Sequence, residues 1–143
     1  MKGECLCGSV QFSVNGELPN LYQCHCSLCR KTTGAASNAA TLVDAKQFQW
    51  LSGQDGIASY SKPSGYRSDF CSHCGSPVPN MINEDQQVWL PVGLLQDSTE
   101  VAVNVHLHMA SAARWERDAE SCQRLEAGPD SLATLNRLLE RKP

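Results

Sequence analysis

Eight cysteines in a chain of 143 residues constrain this protein more than any other feature of its sequence. The first residues carry no apolar segment typical of a signal peptide, so we expect a cytoplasmic protein with reduced thiols. Thiols in a reducing compartment bind metal more often than they form disulfides, which remain the less favoured alternative. Seven of the cysteines fall in three short groups, Cys5-Leu6-Cys7, Cys24-His25-Cys26-Ser27-Leu28-Cys29 and Cys71-Ser72-His73-Cys74.

The number of thiols in each group predicts two zinc sites of different kinds. A closed structural site takes four ligands, whereas a catalytic site takes three and keeps one coordination position open. Spacing alone also permits Cys24 and Cys26 to join Cys71 and Cys74. The favoured division places Cys5, Cys7, Cys71 and Cys74 in the structural site and Cys24, Cys26 and Cys29 in the reactive one.

Three further residues bear on these sites. Gly75 follows Cys74 and resembles the glycine that turns a zinc knuckle back toward its sulfurs, and Gly8 could do the same after Cys7. Both could equally be ordinary turn glycines. The eighth thiol, Cys122, has no other cysteine nearby in sequence, and we interpret it as a bystander.

Composition excludes some functions and predicts a thin core. Hydrophobic residues make up 41% of the chain and aromatic residues 6%, so we expect metal binding to add to the folding free energy. The net charge is −3 and the twelve basic residues are scattered, which argues against a nucleic-acid partner. No apolar stretch approaches the length of a membrane span, so no membrane partner is expected.

The apolar pattern predicts a mainly β chain in one domain over residues 1–143. Val10, Phe12 and Val14 alternate with polar residues and predict a strand that ends at Asn15–Gly16. Further predicted strands are Gln47 to Leu51, Ala58 to Tyr60, Tyr66 to Phe70, Val88 to Val92 and Val101 to His108. Turns are predicted at Gly53, Gly56, Pro63 to Gly65 and Asn83 to Asp85.

Two helices are predicted. One is short and covers Ser27 to Thr33, within and after the second cysteine group. The other begins after Pro129 and Asp130–Ser131. Its leucines recur at helical spacing and predict a stripe packed on the core, formed by Leu132, Leu135, Leu138 and Leu139.

The cysteine groups, taken with the residues beside them, resemble the glutathione-dependent formaldehyde-activating enzyme (GFA) family. The matching segments are Cys5-Leu6-Cys7-Gly8, Gln23-Cys24-His25-Cys26-Ser27-Leu28-Cys29-Arg30, Phe70-Cys71-Ser72-His73-Cys74-Gly75-Ser76-Pro77 and His106-Leu107-His108-Met109-Ala110-Ser111 followed by Trp115. Ser111-Ala112-Ala113-Arg114-Trp115 lacks the lysine often found there in the family.

This resemblance implies an Mss4-like fold, with several small coiled antiparallel sheets around a structural zinc site and a short C-terminal helix. It implies structural zinc on Cys5, Cys7, Cys71 and Cys74 and catalytic zinc on Cys24, Cys26 and Cys29. It also implies a carbon–sulfur lyase that acts on glutathione or a similar thiol with a small aldehyde. An unoccupied cluster of close thiols is easily oxidised, so the second zinc site could be partly occupied in a purified sample.

Three thiolates on Zn²⁺ leave a formal charge of −1, which suits activation of a thiol better than activation of water. The alternative hypothesis is a non-catalytic zinc scaffold that binds a protein partner. Oligomeric state is not predicted.

The other polar and aromatic residues near the motifs have mostly structural interpretations. We expect His25 to point away from the metal and His73 to be an exposed turn residue. His106 and His108 are predicted to share one side of the last strand. Arg30 could bind a substrate carboxylate or balance the charge of the zinc site. Trp115 is interpreted as a core or interface anchor.

Overall fold

The computed structural model describes residues 1–96, 101–116 and 122–140. The chain forms two compact units, Met1–Ala113 and Arg114–Pro143. The first unit is mainly β, as predicted, and carries all seven cysteines of the three groups. A single domain over residues 1–143 remains a prediction. None of the helices in the described part of the chain is long and apolar enough to cross a membrane.

Two small antiparallel sheets bring the first and third cysteine groups together. Strands β1 (Lys2–Glu4), β2 (Gln11–Val14) and β5 (Phe48–Ser52) form one sheet in that order. Strands β6 (Ile57–Ser61) and β7 (Arg67–Cys71) form the other. Phe12 and Val14 alternate with more exposed residues along β2, which confirms the predicted half-buried strand.

A five-stranded sheet carries the second cysteine group. Its order is β10 (Val103–Leu107), β3 (Leu21–Cys24), β4 (Asn38–Asp44), β9 (Gln87–Pro91) and β8 (Asn80–Ile82). The pairings in this sheet are antiparallel except that of β10, which runs parallel to β3. No hairpin links these two strands, which are far apart in sequence, so no tight turn imposes an antiparallel pairing.

Among the described residues, most of the larger buried apolar side chains fall in two small clusters. The larger contains Phe12, Val14, Val43, Val88 and Leu90. The smaller contains two candidate metal ligands, Cys5 and Cys71, packed with Val10 and Val78. Cysteine sulfur is therefore part of the interior, in keeping with the expectation that apolar burial alone is thin.

Both predicted helices are present. Helix α1 (Ser27–Thr33) has the predicted bounds and ends at Gly34, whose left-handed conformation, φ 64°, is typical of a helix C-terminus. Helix α2 (Leu132–Leu139) lies in the second unit and begins after Ser131, whose side chain accepts a hydrogen bond from the Thr134 N–H. The prediction of a buried leucine stripe is wrong for three of its four members, since Leu132, Leu138 and Leu139 are exposed.

Candidate metal centres and the adjoining cavity

The first candidate metal centre is formed by Cys5, Cys7, Cys71 and Cys74. Their Sγ atoms all lie within 4.8 Å of one another. Four thiolates placed tetrahedrally at about 2.3 Å from zinc would have sulfurs separated by about 3.8 Å. The Sγ atom of Cys7 lies 3.5 Å from that of Cys5 and 3.8 Å from that of Cys71. The donor set therefore fits one tetrahedral zinc ion.

Two tight turns aim these sulfurs at a common point. The Gly8 N–H donates to the Cys5 carbonyl at 2.9 Å, and the Gly75 N–H donates to the Cys71 carbonyl at 2.8 Å. Both glycines are left-handed, with φ of 74° and 76°. The Val10 N–H also donates to the Cys5 sulfur at 3.3 Å. Gly8 and Gly75 thus have the left-handed turn conformation that the knuckle interpretation requires, which an ordinary turn glycine also adopts.

We expect Gly75→Ala to lower the free energy of unfolding by about 1–2 kcal/mol, because an L side chain is strained in the left-handed region. A Cβ at Gly75 would meet no atom within 4 Å, so steric overlap is not involved. Gly93 is the matched control, since its Cβ would also meet open space while its φ is not positive. Urea unfolding of the two variants measures the difference. An equal loss in Gly93→Ala would contradict the assigned role of the turn.

Local hydrogen bonds favour an ionised thiol in the first centre. The Ser76 hydroxyl lies 3.3 Å from the Cys74 sulfur. Hydrogen bonds from the Ser76 side chain and backbone lower the pKa of Cys74 to about 5. A thiolate, not a thiol, is the form that binds metal. The Ser76 hydroxyl also accepts the Leu6 N–H at 3.1 Å and so connects the two knuckles.

The second candidate metal centre is formed by Cys24, Cys26 and Cys29, whose sulfurs also lie within 4.8 Å of one another. Cys24 is the last residue of β3, and Cys26 immediately precedes α1. The Cys26 sulfur accepts the Cys29 N–H at 3.4 Å and so caps the helix. The strand-to-helix turn therefore places all three thiols on one short segment.

Close spacing of these thiols raises the cost of ionising all of them. Burial and the neighbouring Cys24 and Cys26 raise the pKa of Cys29 above its ordinary value. A cation among the three sulfurs would remove this mutual repulsion. The cluster thus fits a positively charged ion held by three thiolates.

The structure sorts the cysteines into the four-plus-three grouping predicted from the sequence. The alternative grouping, with Cys24 and Cys26 beside Cys71 and Cys74, is not found. None of the seven clustered cysteines forms a disulfide. Cys122 is exposed, lies in the second unit and belongs to neither group.

A pair of histidines lies beside the second centre. His25 is 1% exposed, and its Nε2 lies 2.9 Å from Nδ1 of His106 on β10. The His25 N–H also donates to the Leu107 carbonyl at 2.9 Å. The prediction that His106 and His108 share one face of a strand is wrong, because β10 ends at Leu107 and His108 is left-handed.

A cavity of about 500 Å³ adjoins the second centre through Cys29. This volume falls within the range of about 300–1,000 Å³ typical of small-molecule sites. The Tyr66 hydroxyl hydrogen-bonds Thr32 of α1, and the Trp89 indole N–H donates to the Tyr22 hydroxyl at 2.8 Å. The cavity is lined by Tyr22, Cys29, Asn38, Gly65, Tyr66, Arg67, Ser68, Asn80, Met81, Ile82, Asn83 and Trp89.

The structure also describes other residues that were singled out from the sequence. Arg30 is partly buried on α1 and does not line the cavity, and its Nε is buried without a hydrogen-bond partner. His73 is exposed, as expected of a turn residue. Trp115 is 67% exposed, which contradicts a core anchor, while a role as an interface anchor stays a prediction.

Sequence reasoning missed the side chains that shape the cavity. Tyr22, Tyr66, Arg67 and Trp89 come from three strands and a loop, and no spacing in the sequence relates them. Only Tyr22 carried a usable signal, because it lies two residues before Cys24 on a strand that ends at the cluster.

Comparisons with known proteins bear on the family and the fold of the chain. A family profile described as "Glutathione-dependent formaldehyde-activating enzyme" matches residues 1–111. A protein of Halomonas elongata named "Putative glutathione-dependent formaldehyde-activating enzyme" is 33% identical over 84 residues, which are 54% of each chain. The chain thus matches about half the length of that curated relative. A crystal structure of a Rhodobacter sphaeroides protein superposes with a TM-score of 0.57 at 23% identity, covering 73% of this chain and 100% of the other, which shows a shared fold.

Proposed function

Since the chain belongs to the glutathione-dependent formaldehyde-activating enzyme family, we propose that it forms and cleaves a carbon–sulfur bond between a thiol such as glutathione and a small aldehyde. The observation that supports this most is the three-thiol cluster, which offers Cys29 to the wall of a cavity. A fourth cysteine at that cluster, among the described residues, would have filled the coordination position that a substrate needs. The first centre, with four thiols, is proposed to be structural.

The proposed reaction adds the thiol across the aldehyde carbonyl. The sulfur forms a bond to carbon, the π electron pair moves to oxygen, and that oxygen takes up the proton released by the thiol. Thiol and formaldehyde thereby give an S-hydroxymethyl adduct, and the reverse steps cleave it. Zinc bound by Cys24, Cys26 and Cys29 would lower the pKa of the incoming thiol and keep it nucleophilic.

Residues of the cavity wall supply the remaining functions. Tyr22 accepts the Trp89 N–H and so keeps its own O–H proton to donate. Burial raises the pKa of Tyr22 and outweighs the lowering by the Trp89 hydrogen bond, so the phenol stays protonated. We propose that this O–H donates a hydrogen bond to the aldehyde oxygen as negative charge develops there.

The test is the rate of adduct formation at equilibrium, measured by exchange NMR with ¹³C-formaldehyde and glutathione. Zinc-loaded protein should raise the exchange rate at least about tenfold over the spontaneous reaction, a modest demand for general acid–base and metal catalysis. Cys122→Ser is the matched control and should behave as wild type. An exchange rate equal to the spontaneous one would reject the enzyme and favour the zinc scaffold that binds a protein partner.

A further inference from the structure

Arg67 is held rigidly at the wall of the cavity. Its Nε donates to Oδ1 of Asp69 at 2.7 Å, and its Nη2 donates to Oδ2 at 2.6 Å. The Asp69 side chain is 5% exposed and the Arg67 side chain 49% exposed. A buried carboxylate therefore fixes the plane of a guanidinium that remains half open to solvent and to the cavity.

The Arg67 guanidinium keeps donors for a second partner. A guanidinium has five N–H donors, and Asp69 takes two of them, which leaves three. The hydrogen bond to Asp69 raises the pKa of Arg67, with a further contribution from the charge of Asp85, so the group stays charged. Because its orientation is already fixed, the Arg67 side chain loses little conformational entropy when a ligand binds there.

Apart from the thiol of Cys29, the lining residues present no acidic side chain to an anionic ligand group. Among the described residues of the cavity wall there is no aspartate or glutamate, and Arg67 is the only lysine or arginine. The amides of Asn80 and Asn83 line the same wall and could add hydrogen bonds to a carboxylate. Asp85 does not line this cavity, and its effect on the exposed part of Arg67 is screened by solvent.

We propose that Arg67, oriented by Asp69, binds a carboxylate of the thiol substrate in the cavity that Cys29 also lines. The proposal rests on the proposed function and narrows its substrate class to thiols that carry a carboxylate. Glutathione carries two. Arginine forms paired hydrogen bonds with carboxylates that neither lysine nor an amide reproduces.

Arg67→Gln should raise the KM for glutathione about tenfold, equivalent to about 1.4 kcal/mol, and change kcat less than about threefold. Glutathione diethyl ester lacks the negative charges of the carboxylates, so the wild-type KM for the ester should be higher than that for glutathione. Arg67→Gln should raise the KM for the ester by less than about a further twofold. Arg67→Lys should be intermediate. Lys2→Gln removes a positive charge on β1 and is the matched control, with no expected effect.

A second variant protects the test against misfolding, since Arg67→Gln leaves the buried Asp69 carboxylate unpaired. Arg67→Gln/Asp69→Asn removes both charges and should show the same loss of discrimination, with the KM raised about tenfold for glutathione and less than about twofold for the ester. An equal rise in KM for glutathione and the ester would overturn the proposal, because it would show a structural role. If the KM of Arg67→Gln for glutathione lies within twofold of the wild-type value, the proposal is overturned as well.

Calorimetry separates this proposal from the proposed function. If wild type does not accelerate adduct formation, the proposed function fails, while the Kd of zinc-loaded protein for glutathione still tests Arg67. A Kd raised about tenfold for glutathione but not for the ester in Arg67→Gln would support carboxylate binding by itself. Failure of wild type to bind glutathione at all would overturn both.

Discussion

Replacing Cys26 by serine should lower turnover at least about 100-fold while leaving one zinc ion bound per chain. Loss of residues that merely orient metal ligands typically costs about 10–100-fold, and we propose that Cys26 is a ligand itself. Its sulfur lies within 4.8 Å of the sulfurs of Cys24 and Cys29. The two remaining thiols would not supply the three protein ligands that are typical of a catalytic zinc site.

Cys26→Ser is suitable because the fold should tolerate it. Cys26 precedes α1 and caps it through its sulfur, and serine is among the preferred residues at this position. The free energy of unfolding should therefore change by less than about 1 kcal/mol. Turnover is measured by exchange NMR and bound zinc by atomic absorption, with Cys122→Ser as the control. Full turnover in Cys26→Ser with one zinc bound would refute the catalytic assignment.

The second large effect is expected at the first centre. Cys71 is fully buried, packs with Val10 and Val78, and faces three other thiols. Cys71→Ser should lower the free energy of unfolding by about 5 kcal/mol, because the binding energy of a structural zinc is folding energy. A loss of that size is comparable with the whole stability of many domains, so we expect a largely unfolded protein at 37 °C.

Chelation distinguishes loss of metal from loss of core packing. Urea unfolding of wild type should show a destabilisation of about 5 kcal/mol when a strong chelator removes zinc. For Cys71→Ser, the chelator should lower the free energy of unfolding only by the contribution of zinc at the second centre. Unfolding of Cys26→Ser measures that contribution separately. A Cys71→Ser protein within 1 kcal/mol of wild type, with chelator sensitivity retained, would show that this centre does not hold a structural ion.

The sequence predicted the parts of this fold that rest on local signals. The alternation of Val10, Phe12 and Val14 specified β2, and the short helix predicted over Ser27 to Thr33 has the observed bounds of α1. Strands β1, β3, β4 and β8 were missed. Strand β4 is buried at Asn38, Ala40, Thr41 and Val43, so its sequence lacks the polar alternation of a half-buried strand.

The site was predictable to the extent that it is made of cysteines. Chain spacing and ligand count together favoured the grouping of Cys5 and Cys7 with Cys71 and Cys74, because a four-thiol zinc site needs two pairs. The cavity was not predictable, since its wall combines Arg67 of the β6–β7 sheet with Tyr22 of the five-stranded sheet, and these segments are distant in sequence. Arg30, adjacent to Cys29 in sequence, was the natural candidate for binding a carboxylate, yet Arg67 lines the cavity instead.

Anomalous scattering at the zinc edge from crystals of zinc-loaded protein is the most direct test of the central claim. We expect two peaks per chain, one among the sulfurs of Cys5, Cys7, Cys71 and Cys74 and one among those of Cys24, Cys26 and Cys29. The second ion should keep a coordination position without a protein ligand. No peak at the first cluster, or a fourth protein ligand on the ion at the second, would contradict this account.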